Sequence, residues 1–517
     1  MRTNKFVIYA FSAMMLGSLA ACSNDDDNNG GGNSGENDAY RWGTNGGLKS
    51  CDHLLFNADA TENVKGTVIG NGNQEFVFTG KQTLAKGTYV MKGWIYIADG
   101  AQLTIEPGTV IKGDMATEAA LIVERGGKLI AQGTKDAPIV MTSNQAKGQR
   151  KPGDWGGLII CGKAKNNQTE QQIEGGPRTK HGGNDDADNS GIISYVRVEF
   201  AGYPFETDKE INGITFGSVG SGTQVDHLQV SYSNDDSYEW FGGAVNCKNL
   251  VAYNGWDDEF DTDNGFSGKI QYCLSIRDPK IADKSQSNGF ESDNCGDGAE
   301  VSPYTTAVFS NVTFVGPVGR NAFENTIDYI NGGSFKPTNS LNNSSLGKFQ
   351  AAMQIRRSSR LSCFNSVAIG YPIGLIIDGE KGNTVETAKA GNLKLQNIYF
   401  AGMTALGSDA NKMYQDVLAD GTGNVLDATK ESYSHTFFLA QTGNKSFANV
   451  ADLNFKDGRN IGANYMPNAG SPVLTAASFS DALLSSGFDK VEYIGAFGTD
   501  DNWLEGWTNF DPNNTEY

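Results

Sequence analysis

The chain reads as an all-β protein, a right-handed parallel β-helix with a C-terminal cap region. Three observations predict it. The stretch SNDDSYEWFGG (Ser233–Gly243) returns as GWDDEFDTDNG (Gly255–Gly265), with Asp235-Asp236 over Asp257-Asp258, Tyr238 over Phe260 and Glu239 over Asp261, each 22 residues on. Short apolar runs with period-two alternation, ended by Gly or Asn, recur every 20–26 residues, with longer insertions between some copies. Glycine makes up 65 of 517 residues and proline 13, beside 19 tyrosines and 27 phenylalanines. That mix favours short strands and tight turns. A coil of about three such strands cannot bury its apolar face alone; stacking on neighbours does, and sets like above like. A β-sandwich would show hairpin signals and no repeating turn chemistry.

The N-terminus is an address. MRTNK carries two positive charges, FVIYAFSAMMLGSLAA is an apolar run of signal-peptide length, and Leu19-Ala20-Ala21-Cys22 ends it. That tetrapeptide resembles a bacterial lipobox, which implies cleavage after Ala21 and a lipid anchor at Cys22. Residues 1–21 are read as the signal peptide, 22–45 as a flexible acidic tether, 46–402 as the β-helix, and 403–517 as final coils, insertions and cap. The acidic run behind Cys22 resembles the surface-export signal of Bacteroidota lipoproteins. The expected location is therefore the outer membrane, lipid-anchored and facing the exterior.

Charge narrows the partners. The formal charge is −19, and Arg2 and Lys5 are the only charges in the leader, so removing it gives −21. Without a Lys/Arg run, nucleic acid is excluded as a partner, because phosphate binding needs concentrated positive charge. Six cysteines follow Cys22, at 51, 161, 247, 273, 295 and 363, scattered and without CxxC; they read as isolated buried thiols. Four histidines and no HExxH argue against zinc.

The strands follow in order. Gly100–Gly113 and Gly126–Ser143 share Gly-x-x-Leu-x-x at an offset of 26. Then come Ile193–Gly202, Val225–Asn234, Lys248–Gly255, Gly268–Asp278, Ser310–Pro317, Arg360–Gly370 and Leu395–Gly402. The acidic motif continues in SNGFESDN, where Phe290 and Glu291 follow Phe260 and Asp261 at 30 residues, implying a loop insertion, and GRNAFENT offers Phe323 and Glu324. AMQIRRSSR then replaces acid by Gln354 and adds Arg356, Arg357 and Arg360. After Gly402 the periodicity fades; NKMYQDVLAD and DALLSSGFDK are candidate short helices.

Three chemistries compete for the acidic turns. Asp and Asn fill turns because they cap backbone groups and tolerate left-handed geometry. Carboxylates stacked about 5 Å apart repel and call for a cation; an oxygen-loving ion such as Ca2+ suits Asp235, Glu239, Asp257, Asp258, Asp261, Asp263, Glu291 and Asp293. Acidic pairs on adjacent coils also suit an inverting glycoside hydrolase, with Asp236, Asp257 and Asp258 as the acids. This arrangement resembles that of β-helix pectin hydrolases, but the next coil has Ile276-Arg277-Asp278 where those place a His. A cation-dependent lyase would draw on Arg277, Arg356 or Arg357, though arginine normally stays protonated. In the loop Gly182–Gly191, Asp186-x-Asp188-x-Ser190-Gly191 begins a calcium-loop pattern, but Arg197 stands where the closing Glu belongs. Trp155, Tyr203, Phe205, Tyr238, Trp240, Phe241 and Trp256 lie near the same turns. Trp240 and Trp256, flanked by acids, are the expected exposed rings for stacking on sugars.

The lipobox, GDWGGLIICGKA, YVRVEFAG, the two acidic repeats and the ending NWLEGWTNFDP together resemble a group of β-helix surface lipoproteins of Bacteroidota, over almost the whole body from about Gly66. The resemblance implies fold and address and no reaction. The expected function is a cell-surface lipoprotein binding an extended ligand, a polysaccharide, as an accessory of an outer-membrane transporter complex. A calcium-dependent lyase or glycoside hydrolase, and a structural or adhesive surface protein, are the alternatives.

Overall fold

The computed structural model describes residues 42–517, apart from 57–66, 169–170, 174–176, 207–208, 280, 284, 318–348, 404, 410–431 and 457–464. Cys22, the leader and most of the tether lie outside the described residues, as do Phe323, Glu324 and residues 411–420.

Two sheets, of 13 and 16 strands among the described residues, run along a parallel β-helix. Parallel crossovers within one sheet are right-handed almost without exception. An antiparallel hairpin, Trp42–Asn45 with Leu48–Cys51, starts the first sheet. In the early coils the expected third strand is present: Lys81–Leu84, Gln102–Ile105 and Lys128–Gln132 stack in parallel. The long strand Gly191–Glu199 then pairs its first half with Lys128–Gln132 and its second with Ile139–Ser143. From there each coil has one long, bent strand in the second sheet. The bend is a ladder of left-handed residues: Tyr195, His227, Asn249, Tyr272, Asn311, Asn365 and Asn397, with φ between 49° and 60°. Asparagine recurs because its short polar side chain tolerates this region best among non-glycine residues.

In the first sheet the predicted stacking holds in register. Tyr238 pairs with Phe260 and Glu239 with Asp261; Phe260 pairs with Phe290 and Asp261 with Glu291. The next rung is Met353 and Gln354, so residues 293–350 intervene between neighbouring strands. Inward side chains build an aromatic column. Tyr238 stacks on Phe260 at 5.6 Å and 17°, Trp240 on Phe216 at 5.5 Å, and Phe290 on Phe309 at 5.6 Å. The six described cysteines are free and buried, as their scatter suggested.

The helix Tyr433–Ala440 forms the end cap. It buries Phe437 and Phe438, and Phe438 stacks on Phe400 at 4.3 Å. Residues 465–517 do not stay at that end. They run back along the second sheet, bonding Asn365 at Ser478, Gln271 at Asp489, Gln229 at Asn509 and Arg150 at Pro512. A second core results, with Val251, Leu274, Val315 and Val367 against Tyr465, Ile494 and Trp507. Aperiodic sequence thus serves as a strap rather than as further coil.

Phe260 is fully buried in the column. Phe260→Ala should cost about 3–5 kcal/mol, read as a lower urea midpoint at unchanged slope; a shift near zero would contradict the stacked column.

Candidate functional site

Strand alternation sorts the acidic motif into two faces. Tyr238, Trp240, Phe260, Phe290 and Met353 belong to the interior core. Glu239, Asp261, Glu291 and Gln354 therefore line up on the outer face, in a file that starts at Thr215. The turns before these strands stack too. One oxygen of Asp236 accepts from the Asp258 amide at 2.8 Å, and one oxygen of Asp258 accepts from the Asn288 amide. Part of the acid content is thus turn capping.

The remaining oxygens converge. Asp235, Asp236 and Asp257 each bring a carboxylate oxygen within 4.8 Å of the others, and so do Asp236, Glu239 and Asp261. The two groups share Asp236. Burial, then repulsion from neighbouring acids, holds Asp236, Asp257 and Asp261 well above the ordinary carboxylate range. Burial pushes Asp258 up to about 6, and burial with the charge of Asp293 pushes Asp263 up to about 7. Oδ1 of Asp257 and Oδ1 of Asp261 are buried with no hydrogen-bond partner among the described residues. Asn212, only 3% exposed, turns Nδ2 to Glu239, and its own Oδ1 has no partner among the described residues. Buried, unpaired oxygens among repelling carboxylates are the donor set a hard divalent cation takes.

The far end of the file differs. Arg356 pairs with Glu291 and, at 2.9 Å, with Asp293; Arg357 pairs with Asp293 at 2.6 Å. An insertion forms a wall: the Asn167 amide donates to the Asn264 carbonyl at 3.0 Å, and Asn167 Nδ2 to the Asn294 carbonyl at 2.7 Å. His181, on the same insertion, packs over Gly217, where any side chain would collide with the ring.

Three sequence expectations are corrected here. Trp240 and Trp256 are fully buried, so neither offers a ring to a sugar. Trp240 shares the inward parity of Tyr238, and flanking acids do not change that. Arg277 is fully buried as well, paired with fully buried Glu259 at 3.1 Å and donating to the carbonyls of Trp256 and Asp257. It anchors the acidic turn from below and cannot reach a ligand. Nothing in the sequence sets Glu259, the partner of Arg277, apart from its neighbours Asp257 and Asp258. Asp186 pairs with Lys165 at 2.7 Å in an exposed loop and joins neither carboxylate group.

The raised acids set a pH dependence. Their folded-state values exceed the unfolded value of about 3.9, so the native state binds more protons between that value and the folded ones. The stability they contribute is present below about pH 4 and is lost as pH rises through about 6 for Asp258 and about 7 for Asp263. In chelator, the melting temperature should fall between about pH 5 and pH 8. Asp258→Asn/Asp263→Asn should flatten that fall; an unchanged slope would argue against these two groups.

No curated protein and no solved structure matches the chain. A family described as "Pectate-lyase like beta helix domain" matches residues 77–450, well over half of the sequence and spanning every carboxylate named above, and the chain belongs to that family.

Proposed function

We propose that the outer face of the first sheet binds an extended polysaccharide with the help of a divalent cation, calcium, held by Asp235, Asp236, Asp257, Glu239 and Asp261. One observation carries the reading: two three-carboxylate groups share Asp236, and each contains an aspartate with a buried, unpaired oxygen. A bound cation supplies the positive charge that lets these acids ionise together. The file from Thr215 to Gln354 covers four inter-strand spacings, roughly 19 Å, which suits a polymer better than a small molecule. Membership in a pectate-lyase-like family fits a polysaccharide-related role. The lipobox and acidic tether favour attachment through Cys22 outside the outer membrane, in the service of an uptake complex.

Catalysis is the second reading, favoured by the near-neutral carboxyl of Asp258, which can hold a proton for a leaving group. Against it, Asp236 and Asp258 each commit an oxygen to the next turn. Arg356 and Arg357 are also ion-paired rather than free to act as a base.

Calcium that binds only the native state stabilises it, by about 2.7 kcal/mol at a hundredfold excess over Kd. Melting temperature should therefore rise with calcium, and Asp261→Ala/Asp263→Ala should abolish the response; no rise in wild type returns the acids to turn capping. On a polysaccharide panel, retention without released ends supports binding. Release that is lost in Asp257→Asn/Asp258→Asn establishes the enzyme. On intact cells, external protease should cut the wild-type body and spare a Cys22→Ala form; a protected wild type rules out surface display.

A further inference from the structure

We propose that Arg356 is a built-in counter-cation for the Glu291 end of the carboxylate file, confining the exogenous cation to the Asp236 end. The inference rests on the cation reading above and concerns where and how often the cation binds.

The outward file is acidic on three successive rungs, Glu239, Asp261 and Glu291, and turns neutral at Gln354. Two residues past Gln354, Arg356 has the same outward parity, and its amide extends the pairing by donating to the Ser292 carbonyl at 2.9 Å. The guanidinium bridges Glu291 on one side and Asp293 on the other, and is 19% exposed. Arg357 takes the second oxygen of Asp293. Glu291 and Asp293 are thus each ion-paired to a guanidinium.

The guanidinium is held by its backbone. Arg357 and Ser358 are both left-handed, at φ 48° and 68°, a costly geometry outside glycine. Ser358 is tied by its amide to Thr384 Oγ1 at 3.0 Å and by its hydroxyl to the Gly298 carbonyl at 2.8 Å. A flexible surface arginine would need none of this.

At the other end, Asp236, Asp257, Asp258 and Asp261 make no ion pair among the described residues. Both unpaired aspartate oxygens and the unpaired amide oxygen of Asn212 lie there. Among the described residues, the vacant oxygen donors therefore cluster around Asp257 and Asp261, away from the Arg356 end.

The test compares wild type with Arg356→Met, which keeps length and loses charge, and Arg356→Lys, which keeps charge. Calcium titration calorimetry and thermal melting are run on the mature chain, first in chelator and then with calcium chloride. Arg356→Met should melt lower in chelator, bind at least one more calcium equivalent than wild type, and recover its melting temperature with calcium. Arg356→Lys should keep the wild-type stoichiometry. Equal or lower stoichiometry in Arg356→Met overturns the proposal. So does an Arg356→Met chain that fails to fold with or without calcium while Arg356→Lys folds, since the arginine would then do something a cation cannot replace. A wild type that binds no calcium sinks the cation reading; an Arg356→Met chain that gains a site would still uphold the counter-cation.

Discussion

Parallel, in-register stacking governs this molecule. Whatever stands at a position on one coil stands about 4.8 Å from its counterpart on the next. For the inward positions that constraint is favourable: Tyr238 stacks on Phe260, and Phe260 and Phe290 both pack against Phe309 and Phe314 of the facing sheet. For the outward positions the same register is a penalty, since Glu239, Asp261 and Glu291 are held as near neighbours with like charge. Core and site are thus two faces of one strand pairing, and neither can shift without the other.

The charge is relieved by several devices at once. Asp236 and Asp258 each give an oxygen to the amide of the following turn, an interaction that favours the ionised form. Arg356 and Arg357 neutralise Glu291 and Asp293. Beneath the turn, Arg277 and Glu259 form a fully buried pair. Such a pair gains little net stability after desolvation, but Arg277 also grips the Trp256 and Asp257 carbonyls and so fixes the turn that carries the acids. Among the described residues, Oδ1 of Asp257 and Oδ1 of Asp261, beside Asp236, are left without a partner.

How much of this the sequence discloses depends on the element. The 22-residue offset is legible because no insertion separates Tyr238 from Phe260, and the register to Glu291 survives a short insertion. Gln354 as the neutral end of the file is legible too, although a long insertion precedes it. The inward position of Trp240 follows from alternation alone once Glu239 is placed outward; proximity to acids was the misleading cue. Trp256 and Arg277 are different, since they sit in turns with no periodicity to assign a side, and only the three-dimensional path buries them. The strap is illegible for a related reason: its contacts, such as Asn509 with Gln229, join residues 280 apart without any repeat.

Burial also weighs against reading the acids as solvated turns. The outer side of the second sheet is closed by the strap; Val308–Val315 and Ser362–Ile369 are buried at every position. On the first sheet, the early coils lie under an apolar cover that includes Ile173 and Ile211. The acidic file begins where that cover stops, with Asn167 on one side and Ser285 bonded to Asp257 on another. Carboxylates on an open surface would be screened by salt within about 8–10 Å and would need no partner. Asp236 and Asp258 are instead only 7% and 4% exposed, so water and bulk ions reach them poorly. Carboxylates sunk in this way must hold protons or share a cation. Protonation answers that requirement for Asp258 only below about pH 6 and for Asp263 only below about pH 7; above that, the proposed cation would be what lets this face ionise.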